Sequence, residues 1–509
     1  MTEKLTISKS LYKAWREHPR LGWWYVRDRE RYDWIQAQDG NSVAGAGTGE
    51  TVEQQVQKLF AGRSMMEIEA RPSEWALARK QTQQAIEQGV EVIVQAVLHW
   101  EDLLCITDLL VLDHEGRYDL VEVKSKSNIR KDTKAEPVLP ELIDDLSFQR
   151  LILTRMLGDR FSGRCRLAYV NKNYIFSGEL DPLTLILEED ITDDLTPSEE
   201  VLQLLKQLRK DVTISNEEFL NTYTYDGCKH TWWYGALPPE DSVWTIPRMS
   251  KKLVPVIHTG RTGLAELNHD DLRILGEKQQ AFVHCWRQGT ETINRETIHS
   301  ILERLPRPWI FYDYETIQSP IPLLHGTRPN QQVVVQWSMH VQEEEGGAIR
   351  HYEDIIQPGE ISNERVIRSL AELVHSLGQT GTFFVWHQSF ENTRNKEIAI
   401  DYPDLADIYV GINERTFDLE KIFTDLLWFD RRFQGSTSIK TILPVLTDVS
   451  YDDLNIRKGD IAAGLLRQVV QGDLPTGQDD QIIKDLLAYC ERDTWAMVKV
   501  IEVIIKKML

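Results

Sequence analysis

Apolar residues along this chain recur with strand spacing in two regions, and a turn-rich stretch with only short helical patterns separates them. In LLCITDLLVLDHEGRYDLVEVKSK, residues 103–126, two apolar runs break at His114, Glu115 and Gly116. That pattern predicts two strands joined by a turn. Upstream, GETVEQQVQKLF sets Val52, Val56, Leu59 and Phe60 on one helical face. Downstream, LIDDLSFQRLILTRML predicts a helix with Leu142, Leu146, Leu153 and Met156 in its stripe, and CRLAYVNKNYIF reads as a further strand. The acidic string LEEDITDDLTPSEE reads as a solvated boundary leading into a helix. From about 226 to 305 the chain is turn-rich and aromatic, with short helices at LRILGEKQQAFVHCWRQG and RETIHSILERL. Pro306 and Pro308 then punctuate it. Strands WIFYDYE and QQVVVQWSMHV follow, then helix ERVIRSLAELVHSL, strand TFFVWH, two or three helices, and one long helix from about Gln481. The expectation is an α/β protein with two mixed-sheet units, residues 1–225 and 306–509, joined by a helical and aromatic connector, 226–305.

Composition changes this picture little. A chain of 509 residues suits two or three domains. Hydrophobic residues at 41% and charged residues at 27% place it in the globular class. No apolar run is long enough to span a bilayer, and MTEKLTISKSLYKAWREHPR lacks the apolar core of a signal peptide, so a cytoplasmic protein without membrane contact is expected. Cys105, Cys165, Cys228, Cys285 and Cys490 form no C-x-x-C pair, which disfavours a zinc ribbon or disulfide framework. A net charge of −21 argues against nucleic acid as a partner, but only weakly, because VKSKSNIRKDTK is locally basic and clustered carboxylates are neutralised by metal.

The candidate chemistry lies in acids that interrupt apolar elements. Alternate strand residues share a face, so Asp313 and Glu315 project with Phe311, and Ile310, Tyr312 and Tyr314 project opposite. Two neighbouring carboxylates repel unless a positive charge lies between them. Either this is an edge strand turning its acids to water, or the acids hold a divalent metal. In the terminal helix, Tyr489 and Asp493 fall at i and i+4 within the stripe of Ile482, Leu486, Val500 and Ile504. A buried carboxylate there is costly unless paired or metal-bound. Glu391 follows strand TFFVWH by a few residues. His325 and Arg328 lie in the loop after the acidic strand, and Ser436, Ser438 and Lys440 precede a helix. A helix N-terminus with a lysine suits phosphate, although plain solvent exposure accounts for Lys440 equally well. A glycosidase is disfavoured, because acids two residues apart on one strand are too close for the acid/base split.

This order of motifs resembles the DnaQ-like exonucleases, which have an RNase H-like fold and a DEDD metal set. Asp313 and Glu315 match the first motif, Glu391 the second, and Tyr489 with Asp493 the tyrosine type of the third. His387 and Glu391 depart from the usual Asn and Asp. The resemblance implies two Mg²⁺ or Mn²⁺ ions about 4 Å apart, Tyr489 orienting the attacking water, and 3′-to-5′ removal of nucleotides. With GINERTFDLEKIF and YCERDTWAMVKV, residues 225–509 are similar to an uncharacterised bacterial domain family that often follows a RecB-type nuclease.

The front of the chain accordingly resembles RecB-like PD-(D/E)XK nucleases. Asp108 precedes Glu122-Val123-Lys124, with Glu122 and Lys124 on one strand face and Val121 and Val123 on the other. The resemblance implies that Asp108 and Glu122 hold one or two metal ions and that Lys124 positions water. Gln149 lies in its helix stripe as in that family, Leu153 stands where the family has Tyr, and Glu53 is a candidate for an extra acid. ISKSLYKAWREHPRLGWWYV is similar to the start of family members that hold an iron–sulfur cluster. His18 stands where their first Cys would be and Cys228 is the sole downstream match, so no iron–sulfur cluster is expected. The company such domains keep implies DNA or RNA as substrate and a protein partner in a repair or phage-defence complex. The alternative is a catalytically degenerate subunit that only binds nucleic acid.

Overall fold

The computed structural model describes residues 5–39, 46–69, 74–131, 136–249, 251–474 and 477–508. It is an α/β protein built on two mixed sheets. The front sheet takes strands β1 (Ile7–Ser8), β2 (Met65–Glu67), β3 (Val92–Trp100), β4 (Leu103–Leu112), β5 (Tyr118–Lys124), β6 (Phe161–Val170) and β7 (Ile186–Asp190). They lie in the order β2-β3-β4-β5-β6-β7, and β1 also pairs with β4. The β3, β4 and β5 pairings are antiparallel, β5 and β6 are parallel, and β7 closes the edge antiparallel to β6. The first four residues of the acidic string 187–200, expected as a solvated boundary, therefore belong to an edge strand, and the string does lead into a helix at Ser198. The strand's charges face water from an edge, where they also discourage pairing with another chain.

The helices over this sheet include α1 (Lys9–Glu17), α2 (Pro19–Arg27), α3 (Pro140–Leu157) and α4 (Ser198–Thr213). Ser8 caps α1 by accepting the Leu11 N–H at 3.1 Å. Pro140 opens α3, and Gly158 at φ +52° ends it. Leu142, Leu146 and Leu153 pack inward as the stripe predicts, while Met156 is exposed.

A two-stranded ribbon joins β8 (Glu291–Ile293) in the connector to β14 (Trp428–Asp430) far downstream. The second sheet holds β9 (Trp309–Ile317), β10 (Val333–Gln342), β11 (Ile349–Ile355), β12 (Thr382–Val385) and β13 (Thr416–Asp418). Its order is β11-β10-β9-β12-β13. The pairs β11/β10 and β10/β9 are antiparallel, and β9/β12 and β12/β13 are parallel. Helices α5 (Glu364–Leu377), α6 (Ser389–Asp401), α7 (Ile439–Leu446) and α8 (Asp479–Met508) cover it.

The connector is less separate than its sequence suggests. Ile298 and Leu302 join the core of the second sheet. Trp23, Ile214 and Phe219 of the front region share a core with Trp233, Val243 and Phe282 of the connector. Ile321, from the loop after β9, is buried with Val121, Val123 and Val170 of the front sheet. Beside it, Phe176 and the 326–327 backbone exchange two hydrogen bonds, at 3.0 and 2.9 Å, and the Asn330 amide donates to Ser125 O at 3.0 Å and Ser127 Oγ at 2.7 Å.

Candidate functional site

Four acids meet on the α8 side of the second sheet. Strand β9 is paired by β12 only as far as Phe311 opposite Phe384. Beyond that point β12 has ended, and Asp313 and Glu315 stand where it turns into α6. The turn is tight: His387 adopts φ +75°, and its N–H is held by Asp418 Oδ1 at 3.0 Å. Glu391 lies in the first turn of α6, where the helix dipole favours a carboxylate. From the other side α8 contributes Tyr489 and Asp493, one turn apart as the stripe predicts. Asp493 Oδ1 accepts from Tyr451 at 2.5 Å, and Lys440 Nζ donates to the Tyr489 hydroxyl at 2.7 Å. Lys440 also lies 5.0 Å from the Tyr489 ring centre and 5.2 Å from that of Tyr451.

The electrostatics of this group are one-sided. Burial, then Asp493, Glu391 and Glu315, push Asp313 well above the usual carboxylate range. Burial and Asp493 push Glu315 up to about 8, against the pull of Lys440. Burial raises Glu391 to about 7, and it raises Asp493 despite Tyr451, Lys440 and Tyr489. Glu391 Oε2 is buried with no hydrogen-bond partner among the described residues. A donor set of half-buried and buried hard oxygens, under-compensated and with an orphan lone pair, fits one or two hard dications such as Mg²⁺ or Mn²⁺.

The other downstream candidates are placed differently. Lys440 is inside the first turn of α7 rather than before it, and Ser438 is its N-cap residue. The His325 ring packs on Phe176, 5.7 Å between centres, and lies against Gly178 of the front region. Arg328 borders a cavity with Lys172, Asn330 and Asp401. The contacts described for these two residues are at the seam between the sheets rather than with the four acids. Tyr451 gave no sequence signal, since it reaches Asp493 from a loop 42 residues away.

The front group is built on β4, β5, α1 and α3. Asp108 Oδ2 accepts the Val123 N–H at 2.7 Å. Glu122 is buried and accepts from Lys124 at 2.6 Å, Lys9 at 3.1 Å and Gln149 at 2.7 Å. Gln149 also donates to Asp145 at 2.9 Å, and Lys124 reaches Asp145 Oδ2 at 2.9 Å. Lys13 adds a contact to Asp145 at 3.4 Å. Asp145, Lys9 and Lys13 were not singled out in the sequence. Asp145 sits one helical turn before Gln149, and Lys9 and Lys13 one turn apart on α1, so helical spacing was the available signal. Glu53 accepts from Gln95 at 3.2 Å, on the edge side of β4.

Here lysines compensate Glu122 and Asp145, though not Asp108. Burial opposes the Lys9 charge, yet Glu122, Asp145 and Asp108 together push its pKa up. Burial likewise opposes the Asp145 charge, and Lys124, Lys9 and Lys13 overcome it, holding that carboxyl below its usual range. Burial and Glu122 push Asp108 up to about 8. Lys9 Nζ bridges Glu122 at 3.1 Å and Asp145 at 3.5 Å, as Lys124 does at 2.6 and 2.9 Å, so it competes with any cation that those two acids share. Lys9→Ala is therefore expected to raise the Mn²⁺ affinity of this site severalfold, read by calorimetric titration in an Asp313→Asn background. Unchanged affinity would mean that Lys9 does not compete with metal.

His18 and Cys228, compared above with cluster ligands, do come together with Asp226. His18 Nδ1 accepts the Arg20 N–H at 3.1 Å, so the proton of the neutral ring is on Nε2, toward Asp226 at 3.5 Å. That tautomer leaves no ring lone pair for a metal.

Residues 310–438 match a protein family described as a domain of unknown function, DUF2779. The match takes in Asp313, Glu315 and Glu391, and stops before Tyr489 and Asp493. The chain is 28% identical over 244 residues to the "Uncharacterized protein MG366 homolog" of Mycoplasma pneumoniae, which covers 45% of this chain and 36% of the relative. It is 27% identical over 240 residues to "Uncharacterized protein MG366" of Mycoplasma genitalium, covering 43% and 35% respectively. The matched part thus spans about a third of these curated relatives. Among solved structures, that titled "Crystal structure of SSO0001" aligns with 47% of this chain and 88% of its own, at 12% identity and a TM-score of 0.26. Among the described residues, no helix is long and apolar enough to cross a membrane.

Proposed function

We propose that the second sheet and its helices form a metal-dependent nuclease of the DnaQ-like, RNase H-like type, which hydrolyses phosphodiester bonds from a 3′ end of DNA or RNA. The observation that carries this reading is the convergence of Asp313, Glu315, Glu391 and Asp493 into one under-compensated group. The strand order supports it, since numbering the five strands along the chain gives 3-2-1-4-5, the RNase H-like arrangement. Bound Mg²⁺ or Mn²⁺ would supply charge for the attacking water and the leaving oxygen. The chain's own residues do the rest. Lys440 fixes the Tyr489 hydroxyl, which is thereby oriented to hold a water beside Asp493. Tyr451 restrains Asp493. A cavity of about 600 Å³, bordered by His387, Glu420, Phe423 and Trp428, offers nucleotide-sized room beside the start of α6.

For the front sheet we favour the degenerate-subunit alternative, a RecB-like unit that binds nucleic acid without cutting it. Glu122 and Asp145 already have lysine partners, which supports that alternative for this half. End-labelled single- and double-stranded DNA and RNA, incubated with Mg²⁺ or Mn²⁺, test both halves. Wild type is expected to give laddered products that vanish with Asp493→Asn and persist with Glu122→Ala. Products lost with Glu122→Ala alone would move the activity to the front site.

A further inference from the structure

Strands β10 and β11 present His340 and His351 toward α8, and their rings stack 4.5 Å apart at 29°. The surrounding hydroxyls engage one nitrogen of each ring: His340 Nδ1 lies 2.9 Å from Thr494 Oγ1 and His351 Nε2 lies 2.9 Å from Ser338 Oγ. Ser338 and Thr494 are 2.9 Å apart, and Thr494 Oγ1 also reaches Glu491 O at 3.0 Å. In the tautomer in which the engaged nitrogens carry the ring protons, Nε2 of His340 and Nδ1 of His351 keep their lone pairs.

His351 Nδ1 lies 3.8 Å from Glu491 Oε1, beyond hydrogen-bond distance. In that tautomer an imidazole lone pair faces a carboxylate oxygen, and a cation between them would satisfy both. One ligand atom each from His340, His351 and Glu491 lie within 4.8 Å of one another. His340 and Glu491, with Arg492 and Trp495, border a cavity of about 330 Å³. Glu491 is exposed, so its carboxylate is free to close the remaining distance.

We propose that His340 Nε2, His351 Nδ1 and the Glu491 carboxylate form a binding site for a zinc-class transition dication, distinct from the four-acid group. Two imidazoles with one carboxylate select zinc, cobalt or nickel over Mg²⁺. Three protein ligands leave a fourth position open to the cavity. Ser338 and Thr494 hold the two rings from behind, as outer-shell partners of metal-binding histidines do. The metal would tie α8 to β10 and β11 directly beside Asp493. This site does not depend on whether the acids cleave nucleic acid.

The test is a calorimetric titration of the full chain with Zn²⁺ in millimolar Mg²⁺, which occupies hard-oxygen sites. Wild type is expected to bind about one equivalent tightly. His351→Asn and Glu491→Gln are each expected to weaken binding by more than about tenfold, and Asp313→Asn to leave it unchanged. Co²⁺ in place of Zn²⁺ gives a second readout, a visible absorption band present in wild type and lost in Glu491→Gln. Glu491 is exposed, so that variant keeps its fold even if the histidine variant does not. Wild type binding no Zn²⁺, or binding it equally well without Glu491, would overturn the proposal and leave a simple His351–Glu491 ion pair.

Discussion

Asp313→Asn is expected to lower phosphodiester cleavage by about a thousandfold, the scale on which removing one anchor of a catalytic dication acts. The same substitution is expected to raise the melting temperature of the metal-free protein at pH 8. Both results follow from one arrangement. Asp313 is the member of the four-acid group on which Asp493, Glu391 and Glu315 all press, so it contributes most repulsion when no cation is present. An asparagine keeps the shape and hydrogen bonding of the side chain and removes its charge. Cleavage is read on end-labelled substrate and stability by thermal melts in EDTA. Cleavage at the wild-type rate would exclude Asp313 as a metal anchor. An unchanged or lowered metal-free melting temperature would show that repulsion within the group is already relieved.

The second large effect is a stability that falls as pH rises. Glu391 and Glu315 titrate near 7 and 8 in the fold, against about 4.5 in an unfolded chain. Between those values the folded state binds more protons than the unfolded one, so stability declines with increasing pH. In EDTA, the melting temperature is expected to drop by about 5 °C or more from pH 5 to pH 8. Mg²⁺ at pH 8 is expected to restore it. Asp108 in the front group, also near 8, pulls the same way. Asp145 is held low and contributes the opposite slope only in stronger acid. His18, His230, His340 and His351, which burial holds below 6.5, oppose the trend in the lower part of this window, so the fall is steepest above about pH 6.5. The share of the drop that disappears in Asp313→Asn therefore belongs to the second sheet. A metal-free protein equally stable at both pH values would contradict the crowding of these carboxylates.

What the sequence made legible follows from where each element sits. Strand β9 shows its alternation because one face is core and the other carries acids, and α8 shows Tyr489 and Asp493 because its stripe is long. Strand β11 escaped notice because it is a largely half-buried edge strand, with polar residues such as Arg350 and Asp354 interrupting its apolar positions. Strand β3 is buried along most of its length and so has no alternation to read. The acid pairs were visible as local spacing within single elements. Their neutralisation was not, since Lys9 reaches Glu122 across 113 positions and Lys440 reaches Tyr489 across 49. Charge balance between distant segments leaves no periodic trace, and it is the property that separates the two groups.

The docking of the loop after β9 onto the front sheet has a practical consequence for dividing the protein. Ile321 is almost wholly buried in the front core, although it belongs to the chain of the second sheet. A fragment cut at the connector would carry that isoleucine out into water and leave a hole beside Val121 and Val123, on the strand that bears Glu122. Asn330 would at the same time lose Ser125 and Ser127. Separately produced halves would therefore each inherit a raw face from the other. Mixing them should regenerate one particle, with recovery of the front half's melting temperature as the sign that the loop has found its seat.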